Sequence, residues 1–192
     1  MKKILAFICL ALCCACNSDD AVETPDPWND ILLQMEPTTL SATEVMQSVS
    51  CWKPILYYRH YDSGEVNEYM GGDELWAGIG PHYFVFKDKM FYLILTGTAN
   101  PNNCVSQCLR IPFSGEEPNF TIEDPRYGTN ELKIVNYDEQ KIALEITINH
   151  PSGNINNDVM LFDQYVIVPA EKEKLYQDVQ KVLDEIEQEH NN

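Results

Sequence analysis

The chain has 192 residues and a formal net charge of −17 at pH 7. Its 44% hydrophobic and 22% charged residues are typical of a globular protein and exclude a collagen-like, coiled-coil or disordered chain. The negative charge argues against nucleic acid as a partner, because an acidic surface repels phosphates. The length suits one domain with a sizeable core.

The N-terminal segment 1–15 has the features of a secretory signal peptide. Lys2 and Lys3 precede an apolar run over 4–12, and small residues follow that run. The run is too short to cross a bilayer as a helix of the mature protein. We therefore expect residues 1–15 to be removed on export.

Residues 12–16, Leu-Cys-Cys-Ala-Cys, resemble the lipobox of bacterial lipoproteins. The resemblance implies cleavage after Ala15 and lipid attachment at Cys16, with Cys14 as a weaker competitor. Residues 17–20, Asn-Ser-Asp-Asp, resemble the acidic export tag of some Gram-negative lipoproteins. Together the two resemblances imply an outer-membrane lipoprotein, exposed at the cell surface and held by acyl chains such as palmitate. A plain secreted protein with coincidental cysteines is the alternative.

A tether and two short helices are predicted next. Residues 17–27 are polar, acidic and proline-containing, and the segment 16–40 is interpreted as a lipid-anchored tether with a short helix over 29–35. Ser41 and Glu44 have the spacing of a capping box, which predicts a helix over 42–50.

Eight strands follow, and most of them are joined by short polar turns. The clearest is 141–149, where large aliphatic residues alternate with small or polar ones, as in a strand with one wet face. Pro169 then opens a last helix, which has one apolar stripe formed by Leu175, Val179, Val182, Leu183 and Ile186. The predicted strands are 52–61, 82–87, 90–96, 107–113, 119–123, 131–137, 141–149 and 158–168.

Strands joined in this way pair with their neighbours in sequence. Eight of them can close into a barrel, which removes exposed sheet edges and leaves room for one small ligand. A two-sheet sandwich fits the same pattern. Because the last helix has an apolar stripe, we expect it to pack on the outside of the sheet. This domain is assigned to residues 41–192.

The layout is similar to that of small lipocalin-like lipoproteins of Gram-negative bacteria. The resemblance is carried by a helix leading into a strand headed by Trp52, the meander, the strand-turn-strand over 131–145 and the final helix. Lipocalins usually have glycine two residues before this tryptophan, where the chain has Ser50. The resemblance implies a mainly β fold: an eight-stranded antiparallel meander closed or nearly closed into a lipocalin-like barrel, with a short N-terminal helix and a C-terminal amphipathic helix packed outside.

No motif for catalysis or for a cofactor stands out. Beyond the signal segment the chain has no G-x-S-x-G elbow, H-E-x-x-H helix or C-x-x-C pair, and its four histidines are scattered. We therefore expect no enzymatic activity, no cofactor and no metal site. A hydrolase is kept as the least favoured alternative, because carboxylates can pair in space as glycosidases need.

Three cysteines remain in the predicted domain, Cys51, Cys104 and Cys108, and an exported protein can form disulfides. A straight strand would hold the Cα atoms of Cys104 and Cys108 about 13 Å apart, beyond the ~7 Å limit of a disulfide. That bridge therefore needs a turn between them. Cys51 paired with either one is the competing arrangement, and three buried thiols are the other alternative.

Aromatic residues are concentrated early in the domain, where 11 of the 20 lie between Trp52 and Tyr92. Tyr and Trp suit a pocket for a flat, apolar or sugar-like ligand, although a large core would need aromatic residues too. The long loop 62–81 is interpreted as a lid with Trp76 in its middle, or as a plug on the barrel end. The candidate lining residues are Tyr57, Tyr58, Trp76, Phe84, Phe86 and Tyr92.

Two functions fit these features. The first is a surface-anchored lipoprotein that binds a small apolar or amphipathic ligand in its barrel and contacts the membrane through the lipid at Cys16. The second is a non-catalytic envelope lipoprotein that docks to a protein or glycan through its outer face, which predicts an exposed apolar patch.

Overall fold

The computed structural model describes residues 26–70, 82–96, 105–149, 154–155, 158–170 and 177–191. The predicted signal peptide, Cys16, Trp76 and Cys104 lie outside these ranges and stay predictions. The helices are α1 (Pro27–Leu33), α2 (Ala42–Gln47) and α3 (Gln177–His190). The strands are β1 (Trp52–Tyr61), β2 (Val66–Met70), β3 (His82–Lys87), β4 (Met90–Thr96), β5 (Val105–Glu116), β6 (Asn119–Asp124), β7 (Gly128–Tyr137), β8 (Ile142–Thr147), β9 (Asn154–Ile155) and β10 (Asp158–Pro169).

Eight of these strands form a closed antiparallel barrel. They pair in the order β1, β3, β4, β5, β6, β7, β8, β10, and β10 returns to pair with β1 from Trp52 opposite Pro169 to Tyr61 opposite Met160. β2 adds to the other edge of β1, and β9 adds to β10. The pairing of the first and last strands confirms the predicted closed eight-stranded antiparallel barrel and rules out the two-sheet sandwich.

Two predicted assignments are wrong, and the helix predicted over 42–50 ends at Gln47. The segment 62–81 is not all loop, because β2 forms a hairpin with β1. β2 lies at an exposed edge, where Val66 is 45% exposed, so its sequence does not show the alternation of apolar and polar residues by which a half-buried strand is recognised. Pro169 does not open a helix but ends β10. Proline is tolerated there because the pairing of β10 with β8 has already ended at Ile167, so no ladder donor is needed on that side.

Helix α2 closes one end of the barrel. Val45 and Met46 are buried in the same cluster as the inward-facing strand residues. The indole Nε1 of Trp52, at the start of β1, donates a hydrogen bond of 2.9 Å to the carbonyl of Met46. The helix is therefore fixed both by apolar packing and by a buried hydrogen bond.

The N-terminus of α2 is capped twice. Ser41 Oγ accepts from the Glu44 amide at 3.2 Å, and Glu44 Oε2 accepts from the Ser41 amide at 2.8 Å, which confirms the predicted capping box. The carboxylate of Glu117 accepts from the amides of Ala42 and Thr43. Burial raises the pKa of Glu117, but the hydrogen bonds from Thr43 and Ala42 outweigh it and leave the pKa below its usual value. Glu117 thus anchors α2 to the β5–β6 turn.

The other two helices lie on the outer surface. Val179, Leu183 and Ile186 of α3 pack on outward-facing side chains of β3, β4 and β5, which confirms the predicted position of the C-terminal helix. Trp28 of α1 packs on the outer face of β1, β8 and β10. The barrel end opposite α2 is thus left without a helix among the described residues.

Candidate functional site

The barrel interior is apolar and tightly packed near α2. Phe84 stacks on Phe91 with ring centroids 5.6 Å apart, and it meets Tyr165 edge-on at 5.1 Å. Trp52, at the start of β1, is fully buried in the same cluster. This half of the barrel is therefore a solid core, packed as protein interiors normally are.

Charged residues are buried at the opposite end of the barrel, which we call the mouth. Asp163 of β10 is 5% exposed and lies opposite Arg59 of β1. Its Oδ1 accepts from Arg59 Nε at 2.8 Å and from the Tyr57 hydroxyl at 3.1 Å. Its Oδ2 accepts from Arg59 Nη2 at 2.8 Å and from the Tyr165 hydroxyl at 3.3 Å. These four contacts fill the acceptor positions of the carboxylate.

A second ion pair lies in the turn between β6 and β7. Asp124, 6% exposed, accepts from the Arg126 amide at 2.7 Å and from Arg126 Nε at 3.1 Å through Oδ1, and from Arg126 Nη2 at 2.8 Å through Oδ2. The guanidinium also lies 4.7 Å from the centroid of the Tyr127 ring. The two pairs with their tyrosines form the mouth cluster: Tyr57, Arg59, Asp124, Arg126, Asp163 and Tyr165.

A cavity of about 60 Å³ lies between the mouth cluster and the apolar core. It has room for roughly two water molecules at their ~30 Å³ share of the liquid, whereas pockets for drug-sized ligands measure about 300–1,000 Å³. The barrel therefore encloses a small, two-sided space and not a large hollow. Its apolar wall is formed by Phe84, Phe91, Leu93, Ile111, Ile122, Ile146 and Ile148.

The guanidinium groups of Arg59 and Arg126 both affect the pKa of the Tyr165 phenol. Burial raises the pKa of Tyr165 well above its usual value and Asp163 adds to the increase, whereas Arg59 and Arg126 both oppose it. For Arg59, burial lowers the pKa but the hydrogen bond to Asp163 outweighs it, so the group stays charged. The tyrosines therefore remain neutral and the arginines positive at physiological pH.

The predicted lining residues divide between the two faces of the sheet. Tyr57, Phe84 and Phe86 face the interior, and Phe84 borders the cavity. Tyr58 is packed under α1 and Tyr92 under α3, so neither faces the cavity. The reason is strand alternation, which turns adjacent side chains to opposite faces.

Sequence reasoning missed the four charged residues of the mouth cluster. Arg59 and Asp163 sit on the inward side of strands whose other inward residues are mostly apolar. The signal was a charged residue two positions from an inward tyrosine, Tyr57 before Arg59 and Tyr165 after Asp163. No feature of the neighbouring sequence indicates that Arg59 and Asp163 form an ion pair.

The cysteines of the described residues are free thiols. Cys51 and Cys108 both belong to the outer cluster under α3. Cys51 directly precedes β1 and Cys108 lies on β5, and the two are not bonded to each other. Burial raises the pKa of Cys51 to about 12, so this thiol is unreactive.

A larger groove of about 360 Å³ lies between α2, the β3–β4 hairpin and α3. Its polar side chains, such as Gln47, Asp88 and Glu187, are exposed to solvent. By contrast, charged groups are buried and converge at the mouth, which is the pattern of a binding site. We therefore place the candidate site at the mouth.

Neither a metal site nor a membrane-spanning helix is found in the part of the chain that is described above. Within it, no group of three His, Cys, Asp or Glu side chains is arranged to hold a metal ion. None of its helices has the length and apolarity needed to cross a membrane.

Comparison with known proteins gives a structural likeness but no match in sequence. No family model matches the chain, and no curated protein matches it in sequence. Among solved structures, the chain is similar to a deswapped triple mutant of bovine odorant binding protein, with a TM-score of 0.37 and 12% identity over 72% of this chain and 84% of that one. A score this low means little shared geometry, and the closed barrel is established by the strand pairing of the chain itself.

Proposed function

We propose that the protein is a lipid-anchored lipoprotein of the Gram-negative outer membrane, exposed at the cell surface, that binds a small amphipathic molecule in the mouth of its barrel. The observation that carries the binding proposal is the mouth cluster: two Asp–Arg pairs beside a cavity in an otherwise apolar barrel.

The energetic argument concerns the burial of charge. Replacing a buried ion pair by well-packed apolar residues is often neutral or stabilising by about 1–4 kcal/mol. A barrel that served only as a solid scaffold would gain nothing from Arg59 and Asp163 in its interior. A polar rim over an apolar floor is what an amphipathic ligand needs, since its polar end meets the arginines and its apolar end meets side chains such as Phe91 and Leu93.

The size of the cavity limits what can be enclosed. A molecule of a few non-hydrogen atoms fits without rearrangement of the core. The side chains of Arg59 and Arg126 are 22% and 32% exposed, so the mouth cluster is open to solvent on its outer side. A longer polar portion of a ligand can therefore extend past the arginines into water.

The anchor proposal rests on residues 12–16 and on charge. The chain carries 30 acidic and 13 basic residues, so it gains no electrostatic attraction to anionic lipid. Acyl chains at Cys16 would have to supply the membrane affinity, and durable anchoring takes more than one chain.

Mass spectrometry of the protein isolated from the membranes of its own cell tests the anchor. The expected mass lacks residues 1–15 and carries acyl chains at Cys16, and Cys16→Ala should leave the membrane fraction for the soluble one. An intact leader, or an unmodified Cys16, would contradict the anchor. A small bound molecule retained under native conditions supports the binding proposal directly.

Filling the cavity tests the binding proposal. Ile146→Phe adds a ring beside the mouth cluster, so binding of small amphipathic molecules should fall at least about tenfold, or ~1.4 kcal/mol. The matched control is Ile31→Phe on α1, outside the barrel, which should bind like the wild type. Equal binding by wild type and Ile146→Phe in ligand-observed NMR would overturn the assignment of the site to this cavity.

A second candidate, docking to a protein partner, is favoured by exposed apolar side chains near the mouth. Val66 is 45% exposed, Leu161 42% and Val159 39%, on β2 and β10. Such a patch is small by the standard of stable interfaces. A protein partner retained in the same native preparation, with no small guest, would favour docking over ligand binding.

A further inference from the structure

The mouth cluster has more hydrogen-bond donors than acceptors. A guanidinium has five N–H donors; Arg59 uses Nε and Nη2 on Asp163, which leaves three, and Arg126 uses Nε and Nη2 on Asp124, which also leaves three. No other acceptor contacts these side-chain groups among the described residues. Asp163 has no acceptor position left, since four donors already contact it.

This imbalance selects the chemistry of the ligand. An amine would bring further donors to groups that need acceptors, and a metal cation would meet two positive charges and carboxylates that are already bonded. A group with two acceptor oxygens in one plane matches the fork of N–H groups that a guanidinium presents. When a carboxylate replaces water, each of these hydrogen bonds joins two ionised groups, and two parallel bonds can form to one guanidinium.

The two guanidinium groups are placed to act together. Arg59 and Arg126 both line the cavity of about 60 Å³, from β1 and from the β6–β7 turn. The side chain of Tyr165 lines the same cavity, and both arginines oppose the rise of its pKa. A group seated in the cavity is thus within reach of donors from two sides.

The apolar wall and the volume of the cavity limit the size and polarity of the part of the ligand that is not the carboxylate. The space of roughly two waters admits a carboxylate and about one or two carbon atoms, and the apolar wall against them includes Phe91 and Ile122. Resting on the proposed function, we infer that the mouth binds a short-chain monocarboxylate, with the carboxylate between Arg59 and Arg126 and the alkyl group on the apolar wall.

Four probes with the same three-carbon chain test this inference. Binding of propionate, propionamide, 1-propanol and propylamine to the purified protein is measured by ligand-observed NMR, which detects millimolar affinities. Propionate should bind best, propionamide more weakly, and propylamine at least about tenfold more weakly than propionate.

Two variants and one control complete the test. The double variant D124N/R126Q removes one guanidinium without leaving its aspartate as an unpaired buried charge, and it should remove the preference for propionate. Arg126→Lys keeps the positive charge without the fork and should weaken propionate binding several-fold. The control is Arg110→Gln, an exposed arginine paired with Glu189 on α3, and it should leave binding unchanged.

The outcomes separate the inference from the proposed function. If propylamine or propanol binds as tightly as propionate, and Ile146→Phe abolishes that binding, the carboxylate inference is overturned and the small-ligand function stands. If propionate binds equally to wild type, D124N/R126Q and Arg126→Lys, the inference is also overturned. If none of the four probes binds, the carboxylate inference and the proposed small-ligand function are both overturned.

Discussion

Trp52→Ala is expected to lower the free energy of unfolding by about 3–5 kcal/mol, the cost of truncating a large buried aromatic side chain. Trp52 is fully buried in the interior cluster and joins β1 to α2 through its hydrogen bond to Met46. The truncation opens a cavity at the closed end and leaves the Met46 carbonyl buried without its donor, which adds to the loss. Equilibrium denaturation in urea measures the effect.

A matched variant divides this loss into two parts. Trp52→Phe keeps most of the apolar volume but removes the indole N–H, so its loss should be smaller than that of Trp52→Ala. A loss under about 1 kcal/mol for Trp52→Ala would mean that the closed end is not held by this residue.

Asp163→Ala is expected to cost up to about 3–5 kcal/mol, because Arg59, whose side chain is only 22% exposed, would lose its counter-ion. The hydroxyls of Tyr57 and Tyr165 would lose their acceptor at the same time. Asp124→Ala should cost less, since its partner Arg126 lies two residues away in a turn and is 32% exposed. Denaturation in urea ranks the two variants.

Removing both charges should separate folding from binding. The double variant R59M/D163L replaces the buried pair by apolar side chains, so its stability should lie near that of the wild type or above it. Its binding of small amphipathic ligands at the mouth should be lost. If R59M/D163L is as unstable as Asp163→Ala, the pair is retained for the stability of the barrel, and the energetic argument for a binding site fails.

The barrel could be predicted from the sequence because its strands alternate clearly. In β8, Ile142 and Leu144 point inward and Ala143 points outward, as the period of two requires. Short turns between such strands leave few arrangements other than a meander. The capping box of α2 could be predicted for a similar reason, because its two residues, Ser41 and Glu44, are only three positions apart in the sequence.

Which side chains of β1 point into the barrel could not be predicted in the same way. Counting by twos from the inward Trp52 places Tyr58 inside and Tyr57 outside. The register shift between Pro54 and Leu56 reverses the alternation, so that Tyr57 and Arg59 face inward and Tyr58 faces α1. A single extra residue in the strand thus decides which tyrosine reaches the site.

The ion pair of the mouth is also a long-range feature. Arg59 and Asp163 are 104 positions apart in sequence and become direct partners only through the register of β1 against β10. No spacing within either strand encodes that partnership. The composition indicates many acidic residues but does not indicate which of them are buried.

The pairing of β1 with β10 has a consequence for biogenesis. The seam that closes the barrel joins the first strand to be synthesised with the last, so contacts of high sequence separation must form late. Arg59 meets Asp163 only at that seam. A chain of which β10 has not yet emerged on the side where the protein folds therefore cannot assemble the mouth, and ligand capture must wait until the whole barrel domain has emerged.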